Sequence, residues 1–467
     1  MPGMNWTISQ LRLAWNYESE FLDGKNVGEQ PLAGVAIDSR TVRSGELFVA
    51  ISGDTFDGHA FVATALENGA LAAVVSQKWA QANKKNDGNY IVVKDTLVAL
   101  QKMASAYRKK VNPFVLGLTG TNGKTTTKEM LANVISTEKI THKTAGNLNN
   151  HIGVPLTLLA MREPVEVAII EMGMNHAREI TLLCEIAQPN AAMITNIGRG
   201  HTEFFGSLEG VKKAKQEIFD YIAPRGTACV NIDDENVVNA ARDAGVQAMR
   251  TFGFSPRAAV NGTELHIEKN GCASFRWQDE KITLSVPGIH NGQNALAAIC
   301  AGNMLGISKE NIIKGVQQDI GVSGRMRILK IGGRTIIDDS YNANPESMLA
   351  AIATLVSSRE QGRIFAALGD MLELGKLSEE NHVMVLQNAL KNKIDHVMIF
   401  GPEMKKAVTM LANKSLRHFS NKKSMAGEIF RMSRPGDFLL VKGSRGMQME
   451  DVIAEFEKLA SSNKSDS

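Results

Sequence analysis

The stretch LGLTGTNGKTTTKEM, residues 116–130, decides how the rest of the chain is read. An apolar run enters Gly120-Thr121-Asn122-Gly123-Lys124-Thr125-Thr126, and a helical pattern leaves it. Strand, glycine-rich turn and helix in that order make a phosphate cradle: backbone N–H groups turn inward, and the helix N-terminus adds its dipole. Lys124 supplies a positive charge, and Thr125 stands where a hydroxyl can ligate magnesium. The spacing departs from the common G-x-x-x-x-G-K-[ST] pattern, because Leu118 stands five residues before Gly123. The bland alternative is a glycine turn that merely precedes a helix.

Outward from this loop, short continuous apolar runs recur at Phe114–Thr119, Val165–Ile170 and Ala191–Thr195, each closed by a polar or glycine-rich turn. Runs of that length separated by helical patterns predict a parallel sheet buried on both faces. Upstream, strand signals stand at Gly34–Ile37, Glu46–Ile51 and Ala72–Ser76, and helical spacing follows Asp95 through Leu97, Leu100, Met103, Ala104 and Tyr107. Downstream, a β-rich stretch covers Thr263–Val286. Beyond Ser323, runs at Thr335–Ile337, Ile364–Leu368, His396–Phe400 and Phe438–Val441 alternate with helices. Pro345 reads as a first-turn proline, Ser378 and Asn291 as helix caps, and the tail SSNKSDS as disordered. The whole is α/β in three blocks, 1–94, 95–322 and 323–467, which suits 467 residues at roughly 150 per domain.

Composition narrows the function. Lys plus Arg number 52 against 49 Asp plus Glu, a net charge of +3, so no basic face for nucleic acid is expected. Aromatics at 6% leave little for base stacking. Cys184, Cys229, Cys272 and Cys300 share no metal spacing and read as reduced core thiols. No apolar run approaches a membrane span, and the N-terminus lacks a signal-peptide pattern, so a cytoplasmic protein is expected.

Ligands of open α/β sheets sit at the carboxyl ends of strands. VEVAIIEMG ends in Glu171, and AAMITNIGRGH leads to His201. Glu171 is a plausible magnesium ligand, although a strand-end glutamate is often only solvated. His201 alone reads more readily as structural. In LEGVKKAKQEIFDYIA, Lys215 falls on the apolar stripe Val211, Ile218, Ile222. Periodicity alone favours a snorkelling lysine whose amine escapes to water. Asn291 and Asn294, one helical turn apart in HNGQNALAA, offer carboxamides suited to a nucleobase edge.

Taken together, DSRTVRSGELFVAISG, TGTNGKTTTKEM, TAGNLNNHIGVPLTLL, EMGMNHAREI, HTEFFGS, KAKQEIF, GIHNGQNALAA, DDSYNANPESM, ALGDMLELG and VKGSRGM resemble the Mur ligase family, from about residue 34 to 447. The resemblance implies ATP-dependent amide ligation in peptidoglycan synthesis. EMGMNH, TAGNLNN and DDSYNANP are similar to the member that joins D-alanyl-D-alanine to UDP-N-acetylmuramoyl-tripeptide. It further implies a small α/β N-terminal domain for the UDP-sugar, a central P-loop-type ATPase domain and a Rossmann-like C-terminal domain for the dipeptide. Gly120 to Thr126 would bind ATP phosphates, and Thr125 and Glu171 magnesium. His201 and Lys215 would place a second magnesium, Lys215 as a carbamate, which reverses the snorkelling reading. Asn291 and Asn294 would meet adenine, with Arg325 and Asp339 closing on the nucleotide. Asp38, Ser39 and Arg40 would hold the UDP-sugar. Asn147, Asn149, Asn150, Asn342 and Asn344 would meet the peptide and D-alanine groups. A monomer is expected. A folylpolyglutamate synthase-like ligase and a non-catalytic nucleotide-gated binding protein are the alternatives.

Overall fold

Four sheets organise the chain in the computed structural model, which describes residues 4, 6–15, 20–22, 27–53, 56–83, 88–200, 202–357, 359 and 362–465. The first has five strands in the spatial order Glu20–Leu22, Tyr90–Val93, Ala72–Ser76, Glu46–Val49, Gly34–Ala36. The central sheet has seven parallel strands, in the order Val260–Asn261, Ala248–Gly253, Thr227–Asn231, Ala191–Ile194, Phe114–Thr119, Val167–Glu171, Thr141–Lys143. A three-stranded antiparallel sheet, Thr263–Ile267, Cys272–Trp277 and Glu280–Pro287, is appended to it in sequence. The last sheet has six strands, parallel except for the hairpin partner Arg327–Ile331 at its edge.

The continuous apolar runs became strands buried on both faces: every residue of Val167–Glu171 and Ala191–Ile194 is buried. Their neighbour Phe114–Thr119 lies between them, pairing Leu118 with Glu171 and Thr119 with Ile194. That order brings the chain after Gly120, Glu171 and the turn after Ile194 to one end of the sheet.

Apolar clusters hold the blocks together. One runs from Leu116, Leu131 and Leu296 to Met326, Ile337 and Met348, joining one face of the central sheet to the third block. Another joins the opposite face to the first block through the helix Thr96–Val111. Asp95 caps that helix by accepting from the Leu97 and Val98 N–H groups. Its Tyr107, 1% exposed, lies 5.4 Å from the ring of Trp6 and donates its hydroxyl to the Met161 carbonyl. Arg108 donates to the carbonyls of Ala187 and Gln188, tying the helix to the base of the sheet.

Three local expectations fail. Ser378 is the first helical residue and not the cap, because the 3₁₀ turn Gly375–Leu377 winds directly into the helix Ser378–Lys391. Asn291 opens its helix behind His290, and its amide donates instead to the Pro287 carbonyl at 2.7 Å. Of the tail expected to be disordered, residues 461–465 continue the helix Glu450–Ser465, anchored by buried Val452, Ile453 and Phe456, and residues 466–467 lie outside the described residues. Pro345 does occupy the first turn, behind an Asn344 cap. All four cysteines are buried and free, and among the described residues no helix is long and apolar enough to cross a membrane.

Substitutions at Tyr107 should separate packing from hydrogen bonding. Tyr107→Phe should cost about 1 kcal/mol for the lost bond. Tyr107→Ala should cost roughly 3–5 kcal/mol because it also leaves a cavity. Denaturant midpoints of the two variants check this ordering.

Candidate active site

The phosphate loop is held by crowding. A Cβ at Gly120 would stand 1.9 Å from Thr195 Oγ1, so only glycine lets the two strand ends approach so closely. Thr195 Oγ1 and Asn196 Nδ2 both donate to the Asn122 carbonyl, at 2.6 and 2.9 Å, and Asn122 N donates to Asn196 Oδ1. Gly123 adopts φ +78°, and a Cβ there would meet Asn294 Oδ1 at 2.5 Å. The helix Lys124–Ile135 then starts with no side chain capping its first N–H groups. Uncapped donors at a helix N-terminus suit an anion.

Two lysine amines meet at this loop. Lys124 Nζ donates to the Gly120 carbonyl at 2.7 Å and the Thr121 carbonyl at 3.3 Å. Lys215 Nζ donates to the same Gly120 oxygen at 3.0 Å. The snorkelling reading of Lys215 is therefore wrong. The helix Leu208–Ile222 buries its whole stripe, leaving Lys215 2% exposed with its amine beneath the loop and not in water. Loss of water lowers the pKa of Lys124, and it lowers that of Lys215 much further, with the Lys124 charge adding to the effect.

Glu171 ends its strand 1% exposed. Its Oε2 accepts from the Thr125 hydroxyl at 3.1 Å and its Oε1 from Asn149 Nδ2 at 2.9 Å. A carboxylate and a hydroxyl in contact form an all-oxygen pair of the kind magnesium takes together with phosphate oxygens. No three His, Cys, Asp or Glu groups gather as a cage among the described residues, so a metal here would complete its coordination with water and phosphate oxygens. Asn147 is exposed; Asn150 Oδ1 accepts from Gly153 N at 2.8 Å and so secures the helix Gly153–Leu159. His201 lies outside the described residues, between Gly200, which lines the cleft, and Thr202.

The loop forms one wall of a cleft of about 700 Å³ whose other wall belongs to the third block. Asn291, Asn294, Arg325, Asp339, Asn342 and Asn344 all line it. Asn294 Nδ2 donates to Asn291 Oδ1 at 2.8 Å. Arg325 lies over the Tyr341 ring at 4.3 Å. Asp339 accepts from Lys442 Nζ at 2.5 Å and from Met326 N at 3.2 Å, and Lys442 also donates to the Asn342 carbonyl. Asn344 Nδ2 crosses the cleft to Asn122 Oδ1 at 2.7 Å. The first-block trio stands apart and does not line this cleft. There Arg40 grips Asp38 with two nitrogens, at 2.9 and 2.6 Å, and this pairing holds the Asp38 carboxyl down at about 2. Ser39 is buried, its carbonyl accepting from Asn68.

Residues 31–108, 118–302 and 324–445 match, in turn, the Mur ligase family catalytic domain, the Mur ligase middle domain and the Mur ligase glutamate ligase domain. The chain belongs to the Mur ligase family. It is 39% identical to the UDP-N-acetylmuramoyl-tripeptide--D-alanyl-D-alanine ligase of Bacillus subtilis, over 90% of this chain and 92% of that one. The crystal structure of a MurF from Acinetobacter baumannii superposes with a TM-score of 0.88 at 32% identity, covering 98% of this chain and all of the other. A MurF ligase from Thermotoga maritima in complex with ADP gives 0.81 at 29% identity, covering 92% and 98%. This Mur ligase thus shares the three-domain α/β architecture of those structures.

Four residues of the site escaped the sequence reading: Asn196, Lys128, Glu346 and Lys442. Asn196 and Lys442 stand at or just beyond strand ends, where position alone could have raised them. Glu346 follows the first-turn Pro345, and its Oε1 accepts from Arg199 N at 3.0 Å across the cleft.

The buried Lys215 amine gives this Mur ligase a testable pH response. The unfolded chain holds that proton up to about pH 10.5, while the folded protein releases it at lower pH. Between those limits the unfolded state binds more protons, so stability from this group rises with pH. The melting temperature of the ligand-free wild type should therefore gain on that of Lys215→Met from pH 7 towards pH 10. A constant difference across that range would contradict the burial of a proton-shedding amine.

Proposed function

We propose that this chain joins D-alanyl-D-alanine to UDP-N-acetylmuramoyl-tripeptide at the expense of ATP, giving UDP-N-acetylmuramoyl-pentapeptide for peptidoglycan synthesis. The observation that carries the reading is the meeting of two segments across one cleft: the phosphate loop and DDSYNANP, with Asn344 bonded to Asn122. The likeness to ligases bearing that name, over nine-tenths of the chain, supports it.

In this reading the γ-phosphoryl group passes to the terminal carboxylate of the tripeptide. The amine of the dipeptide attacks the acyl phosphate, and phosphate leaves from the tetrahedral intermediate. Carboxylate and triphosphate repel, so the chain works mainly by holding them together and balancing charge. Lys124 and the N–H groups after Gly123 take the phosphates. Asn291 and Asn294 face adenine, and Arg325 and Asp339 close on the nucleotide. Residues 1–94, with Asp38, Ser39 and Arg40, hold the UDP-sugar; residues 95–322 hold ATP; residues 323–467 bring the dipeptide. Asn147, Asn149, Asn150, Asn342 and Asn344 serve the peptide groups. Thr125 and Glu171 would hold magnesium, which when bound would supply the positive charge that lets the two anions approach. His201 and Lys215 would complete a second magnesium position, Lys215 as a carbamate. A neutral amine is the form that reacts with carbon dioxide, and burial favours that form. The protein acts as a cytoplasmic monomer.

Phosphate release should require ATP, the UDP-muramoyl tripeptide and D-alanyl-D-alanine together. Release with a folate and glutamate would favour the folylpolyglutamate synthase-like reading, and nucleotide binding without release a nucleotide-gated switch. In the same assay Lys124→Ala should lose turnover while its denaturation midpoint shifts little.

Lys215→Ala should also be nearly inactive, but acetate should restore part of its activity by replacing the lost anionic oxygens. Acetate should do nothing for Lys124→Ala, which lacks a cation. Full activity of Lys215→Ala in the absence of acetate would remove the carbamate.

A further inference from the structure

Lys128 is 0% exposed, and the reading above gives it no task. It lies one turn beyond Thr125 on the same face of the helix Lys124–Ile135. Its Nζ is 3.3 Å from the Gly146 carbonyl, 3.3 Å from Glu129 Oε1 and 3.7 Å from Glu171 Oε2. Glu129 in turn pairs with Lys143 at the end of the edge strand Thr141–Lys143. A row of alternating charges, Lys143, Glu129, Lys128, Glu171, therefore runs from the sheet edge to the candidate metal carboxylate. Gly146 belongs to the turn that also carries Asn149, whose amide holds the other oxygen of Glu171.

We propose that Lys128 is a positioning residue. Its ammonium fixes Glu171 and the Gly146–Asn149 turn against each other, so that the metal carboxylate and the loop facing the peptide keep one relative geometry. A purely stabilising role explains the lysine poorly: a buried ion pair replaced by apolar residues of similar volume is often no less stable. An ammonium, by contrast, can grip two carboxylates and a carbonyl at once, because it carries three donors. The proposal rests on the reading of Glu171 as a magnesium ligand.

The double variant Lys128→Met with Glu129→Gln removes one positive and one negative charge. It keeps the row neutral and separates charge balance from geometry. Its thermal melt should stay close to that of wild type. Magnesium strengthening of ADP binding, read by calorimetry, should need roughly 10- to 100-fold more metal, the range lost when an outer partner of a metal ligand is removed. The KM for the tripeptide nucleotide should rise as well, while the KM for ATP at saturating magnesium stays unchanged. A wild-type magnesium response together with a wild-type tripeptide KM would overturn the proposal. If the double variant fails to fold, Lys128→Arg decides. It keeps the charge in a larger, planar group; in the folded variant the magnesium response should weaken, and an unchanged response overturns the proposal. Glu171→Gln is the control. Should it leave the magnesium response intact, the metal assignment has failed, and the tripeptide KM alone then judges Lys128.

Discussion

Two lysine amines converge on one carbonyl oxygen, that of Gly120, at the base of the phosphate loop. Lys124 arrives from the helix that follows the loop, and Lys215 from a helix packed on the sheet. Neither has a carboxylate as its hydrogen-bond partner in that grouping; both rely on neutral carbonyls. Burial raises the cost of holding both amines protonated, and it falls hardest on Lys215, whose charge Lys124 also opposes. Lys124 can thus offer its charge to an arriving anion, while the trapped Lys215 amine is held towards its neutral form.

The crowding between Gly120 and Thr195 has the same logic. Threonine and asparagine side chains from the adjoining strand end anchor Asn122 on both its N–H and its carbonyl. The loop therefore cannot relax around its own lysine. A preorganised cradle of this sort spends little on rearrangement when charge develops in it. The third domain closes the opposite wall through polar contacts at the cleft, while the apolar cluster beneath runs unbroken from one domain to the other.

The sequence revealed the parts of the fold that physics marks with uninterrupted apolar runs. Phe114–Thr119, Ala72–Ser76 and His396–Phe400 emerge with the boundaries expected. The strand Thr141–Lys143 was invisible because, at the sheet edge and only partly buried, it carries Thr, His and Lys. Arg327–Ile331 and Leu416–Phe419 are edge strands of the same mixed character. At the site, Glu171 could be anticipated from its place at a strand end. Lys215 was noticed for sitting on an apolar stripe, yet periodicity cannot tell an amine that escapes from one that is trapped; only the packing of its helix decides that. Lys128 bears the same mark, sharing a face with the buried Leu131, Ala132 and Ile135, but the neighbouring phosphate loop masked it. The asparagines were visible as residue types, and their division of labour was not: Asn149 braces Glu171, Asn150 secures a helix, and Asn344 crosses the cleft.

That last side chain has a consequence for which residues its position can accept. Asn344 Oδ1 receives the Ser347 N–H and caps a helix, while its Nδ2 donates to Asn122 in the phosphate loop. Capping by itself is satisfied about equally well by serine, aspartate or asparagine. Aspartate would keep the cap, lose the donor and set a negative charge against the loop at Asn122. Serine would keep the cap but could not span the gap. A position that looks permissive by the rules of helix ends is thus restricted to a carboxamide by a neighbour 222 residues away in the chain. A substitution there could leave the domain fully folded and still unlatch the cleft.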